Sequence, residues 1–68
     1  MKLISARVRD AGLDVSLDEL VILNNALNEI INGIEVPEFH ARIGASPEEV
    51  RDLLSNIGAV IKRVHAIP

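Results

Sequence analysis

Two capping boxes, Ser16-Leu17-Asp18-Glu19 and Ser46-Pro47-Glu48-Glu49, constrain this chain more than any other feature. In each, the serine oxygen can accept from the amide three residues on, while the glutamate reaches back to the serine amide. Pro47 falls at the first helical position, where its missing amide costs nothing, and Glu48 and Glu49 lie at the positive end of the helix dipole. Each box heads an apolar row of helical period. After the first, Leu20, Leu23, Leu27 and Ile30 recur at spacings of three and four with Ala26 and Ile31 beside them, and Gly33 supplies a left-handed stop. That pattern predicts a helix over about 17–32. After the second, Val50, Leu53, Leu54, Ile57, Ile61 and Val64 carry a helix to about residue 65. Gly58 interrupts this row as either a close-approach point or a cap; because the apolar period crosses it, one continuous helix is expected.

The remaining segments are short. Ile4, Ala6 and Val8 alternate with Ser5, Arg7 and Arg9, and Asp10-Ala11-Gly12 followed by Leu13, Val15 and Leu17 completes a hairpin. Ile4, Val8 and Ala11 also fit helical spacing with Gly12 as the stop; the frequency of Val and Ile and the turn chemistry of Ala11-Gly12 favour strands. A lone two-stranded ribbon is marginal in water, so it must pack on the helices or pair with another chain. Val36 is biased to extended backbone by Pro37, which opens a short helix over 37–43 ended by Gly44. The expected fold is a mainly α, single domain over 1–68: two long amphipathic helices, one short helix and an N-terminal β-hairpin.

Size and composition limit what such a domain can do. At 68 residues it buries only about 60% of the surface its unfolded chain exposes. With no cysteine, neither disulfides nor a thiolate zinc site can supplement the core. Oligomerisation is the usual remaining device, and 49% apolar residues in so small a chain point the same way, so a homodimer is expected. A net charge of −3 and a pI near 5.2 argue against a nucleic-acid backbone as partner and for a basic protein. Phe39 is the single aromatic, leaving almost nothing to stack on bases. The N-terminus is charged by Arg7 and lacks the apolar run of an export signal, and no stretch approaches the roughly 20 apolar residues of a membrane span. A cytoplasmic protein is the expectation.

The side chains point to binding and not to catalysis. Asn24, Asn25, Asn28 and Asn32 give the first long helix an amide-rich side, although asparagine is a mediocre helix former. The amides either bond to the irregular 33–46 connection, with Asn24 and Asn28 closest to the apolar edge, or bridge a subunit interface, or form a recognition face for a partner protein. Asn25, Asn28 and Asn32, with the acidic patch of Glu48, Glu49 and Asp52, are the candidate partner-binding residues. His40 and His65 lack a ligand set for zinc, the acidic residues 10, 14 and 18 lack the alternation of a calcium loop, and no serine has a His/Asp constellation. No catalytic, cofactor or metal residue is expected.

Residues Phe39 to Leu54, with apolar Phe39 and Ile43 before Gly44 and Val50 and Leu53 after it, resemble a DNA-binding helix-turn-helix. They depart from it at His40, where a small residue is usual, and at Glu48, Glu49 and Asp52, which would meet phosphates at the leading end of a recognition helix. A packing corner of the same shape is the competing reading. The wording L-N-N-A-L-N-E-I-I-N-G-I, then V-P-E-F and R-I-G-A-S-P-E-E-V, over residues 16–54, resembles short bacterial proteins with no firmly established activity. In size and acidity the chain is similar to immunity proteins and antitoxins, which implies neutralisation of a cationic protein by covering its active site. The functional expectation is a non-enzymatic protein-binding module of that inhibitor type, with a helix-turn-helix regulator as the alternative.

Overall fold

A computed structural model describes all residues, Met1–Pro68. Helix accounts for 60% of the chain, which places it in the mainly α class with an antiparallel N-terminal hairpin. In chain order the elements are β1 (Lys2–Ala6), β2 (Ala11–Asp14), α1 (Leu17–Asn28) running into a π-helical turn (Glu29–Gly33), α2 (Phe39–Ile43) and α3 (Pro47–His65).

Both capping boxes form. The Glu19 amide donates to Ser16 Oγ at 3.1 Å and the Ser16 amide to Glu19 Oε1 at 3.0 Å. The Glu49 amide donates to Ser46 Oγ at 3.2 Å and the Ser46 amide to Glu49 Oε1 at 3.0 Å. Each box satisfies amides that a helix start otherwise leaves without partners. From Ser46 onward α3 continues unbroken past Gly58 to His65.

The contact between α1 and α3 is the principal packing between elements, and the π turn also touches α3. The residues turned inward are Leu17, Leu20, Asn24 and Leu27 on α1 and Ile30 and Ile31 in the π turn; on α3 they are Val50, Leu54, Ile57 and Ile61. These rows repeat at threes and fours, the spacing of one helix face. Only Leu20 (9% exposed) and Val50 (3%) are buried. The expected apolar row keeps Leu20, Leu27, Ile30 and Ile31 but loses Leu23. Leu23 is exposed and Asn24 takes a place in the seam, because one neighbouring helix covers one stripe and nothing covers the next.

Four local expectations are corrected. The hairpin turn is Arg7–Asp10, not Asp10–Gly12: the Arg7 amide donates to the Asp10 carbonyl at 2.9 Å, and the Arg7 and Asp10 side chains pair across the turn. Gly12 instead lies within β2 opposite Ser5, whose hydroxyl would stand 2.7 Å from any Cβ there, so the glycine supplies space and not a turn conformation. The second strand ends at Asp14, and Leu17 already belongs to α1. Gly33 does not adopt the left-handed cap. The first helix ends by widening, the Ile34 amide donating to the Glu29 carbonyl at 3.0 Å, and the Glu29 carboxylate folds over the hydrogen face of Gly33. Finally, α2 begins at Phe39, two residues later than Pro37 implies, because Glu38 stands in the left-handed region at φ 52°. Gly44 does close α2 as expected, at φ 84° with its amide donating to the His40 carbonyl at 2.8 Å.

A Cβ built on Gly58 meets no atom within 4 Å, so the close-approach role is not used inside the chain. Gly58→Ala is expected to stabilise the fold by about 1 kcal/mol, the helix-propensity difference, measured as a higher urea midpoint at unchanged slope.

Candidate functional site

Asn25, Asn28 and Asn32 stand three and four residues apart and share one exposed flank of the first helix. Asn32 Nδ2 donates to Asn28 Oδ1 at 2.9 Å, so these two amides brace each other along the helix. No asparagine side chain bonds to the 33–46 connection, and the internal-bonding account of the amides is set aside. Asn24, on the α3-facing row, is separated from the other three by its half-burial.

On α3, Glu48 and Asp52 lie one turn apart on an exposed flank, and neither takes part in an ion pair. Glu49 differs, since its Oε1 accepts from the Ser46 amide while Oε2 is left to solvent. Its carboxyl is held below the usual carboxylate value by that backbone bond first, then by the Ser46 hydroxyl, and further by the charge of nearby His40. The amides and carboxylates thus occupy two helices, and α3 places the carboxylates in its first turns because Ser46 starts it there.

Two features escaped the sequence reading. Glu38 holds a left-handed backbone for which its residue type gives no signal, since glutamate is not favoured there. Glu19 carries a second partner besides the box: the Met1 ammonium donates to its Oε2, tying the start of β1 to the first turn of α1. That bond is the main reason its carboxyl is lowered to about 2, the Ser16 amide being next.

The surface carries no pocket, and no three His, Asp or Glu side chains converge. No helix is long and apolar enough to cross a membrane. The segment resembling a helix-turn-helix consists of the five-residue α2, a turn at Gly44–Ser46 and α3. No family model, curated protein or solved structure matches the chain.

The lowered Glu19 carboxyl links stability to acid. Its folded pKa lies below its ordinary 4.5, so its contribution is fully present above about pH 4.5 and disappears as pH falls through about 2. Glu19→Gln is expected to make the decline of the urea midpoint over that window shallower; identical declines in the two proteins contradict the assignment.

Proposed function

We propose that the chain is a non-enzymatic protein-binding module that recognises a basic protein through an acidic and amide surface, in the manner of a small immunity or antitoxin-type inhibitor. The observation that carries this reading is the pair Glu48 and Asp52, exposed one turn apart and without cationic partners in a chain of net charge −3. Carboxylates left unpaired in the free molecule are available to a cationic partner, speeding encounter and fixing its orientation. The free Oε2 of Glu49 adds to the same end of α3. Asn25, Asn28 and Asn32 supply directional donors and acceptors on the first helix, and the Asn28–Asn32 bond holds two of them in place, which lowers the ordering cost of binding.

The same carboxylates weigh against the DNA-binding alternative, because the leading turn of α3 would bring Glu48 and Asp52 to phosphates. Affinity capture from the native host, with mass spectrometry of what is retained, tests the proposal. Retention of a basic protein whose affinity falls at least tenfold for the double variant Glu48→Lys/Asp52→Lys is the expected result. Unchanged affinity removes the acidic-surface mechanism, and salt-sensitive retardation of duplex DNA that weakens with Arg42→Ala and Arg51→Ala replaces it with the DNA-binding reading.

A further inference from the structure

The molecule is flat and open, with extents of 40 × 31 × 16 Å. Its radius of gyration is 13.6 Å, where about 11 Å is usual at this length. The accessible surface is 5457 Å² for 7.4 kDa, against about 4,200 Å² for a folded monomer of that mass, an excess of roughly 1,250 Å². A standard protein–protein interface takes about 800 Å² from each partner.

Besides Val21, Ile22 and Leu23 on α1 and the isolated Ile34, Ile43 and Ile67, two groups of uncovered apolar side chains stand out. One is on the ribbon. Leu3 pairs with Leu13 and Ala6 with Ala11; the irregularity between Leu3 and Ser5 resets the alternation, so both pairs share one face. Leu3 is 59% exposed and Leu13 47%. The ribbon does not lie on the chain's own helix layer: β2 reaches α1 through Val15 and Ser16 alone, and the Met1–Glu19 ion pair holds β1 at the start of α1. The other group is on α3, where Leu53 (49% exposed), Val60 (48%) and Val64 flank half-buried Ile57 at spacings of four, three and four. That is a second helical seam with no helix against it. The helix that bears the second group carries three acidic and three basic side chains, with Lys62 and Arg63 beside Val60 and Val64.

We infer that a second copy of this chain completes the fold, the apolar face of each ribbon lying on the Leu53–Val60–Val64 seam of the other copy's α3. A two-fold axis makes the exchange reciprocal, so both groups on both chains are covered at once. The excess surface of each chain is enough for such an interface. Asn25, Asn28 and Asn32 lie on the first helix, away from the seam, whereas Glu49 stands one turn ahead of Leu53 on the same row, so the two readings meet at this end of α3 and sedimentation of the purified chain tests the assembly with no other protein present.

Sedimentation equilibrium from about 1 to 100 µM, read by interference because the chain has no Trp or Tyr, together with helical circular dichroism, tests the assembly. The expected result is a mass twice 7.4 kDa and a thermal midpoint that rises with concentration. Leu13→Lys and Val60→Glu are each expected to weaken dimerisation at least tenfold, whether the released chain stays folded or unfolds. Mixing the two variants is expected to restore the dimer, since one of the two contacts then sets Lys against Glu and the other is unaltered. A folded monomer with a concentration-independent midpoint overturns the inference. So does a dimer indifferent to both variants, and so does a mixture no tighter than either variant alone.

Discussion

The seam between α1 and α3 is the interaction on which the rest of the structure depends. Leu20 and Val50 are the two buried residues, one from each helix, and every other apolar side chain keeps part of its surface in water. The polar devices of the chain serve this seam. The capping boxes set where each helix begins and therefore which residues face across it. The π turn lets the first helix end against α3, and α2 with Gly44 carries the chain to the head of α3. A sheet or helix layer is stable when a second layer covers its apolar side. Here the seam between α1 and α3 leaves Leu53 and Val60 on the outer side of α3 exposed.

The carboxylates divide by the work they do. Glu19 and Glu49 are bound into the capping boxes, where backbone amides hold them charged, and Asp10 closes the hairpin turn with Arg7. Glu48 and Asp52 have no such occupation, and their charge is available to another molecule. The amides divide in the same way. Asn24 sits half-buried on the row facing α3, while Asn28 and Asn32 bond to each other on an outward flank. Polar residues that look alike in the sequence thus have different roles, and the difference comes from helix phase.

The presence of a ribbon, the starts of α1 and α3 and the class were legible in the sequence because each rests on interactions within a few residues. The boxes at Ser16 and Ser46 need only three residues of context, whereas the alternation read from Ile4 to Val8 overran the strand, which ends at Ala6 with Val8 exposed in the turn. Position within an element was less legible. The turn moved to Arg7–Asp10 because a backbone bond and an ion pair close it there, and Gly12 proved to make room for Ser5. Of the candidate site, the exposure of Asn25, Asn28, Asn32, Glu48 and Asp52 follows from helical periodicity, whereas the commitment of Glu49 Oε1 to Ser46 follows from the capping box itself.

By itself, then, the sequence determined two long helices with capped starts, a hairpin, an acidic surface and a chain rich in apolar residues for its size. Local hydrogen bonds and side-chain period are sufficient to specify each of these. Only the tertiary structure decided which stripe of each helix is inside. Leu20, Leu27, Ile30 and Ile31 are turned inward as the period implies, but between them Asn24 and not Leu23 takes the half-buried place. The choice rests on where α3 lies, a long-range contact that no local pattern encodes. The same contact decided that Leu53, Val60 and Val64 face outward, because one helix can cover only one stripe of its neighbour.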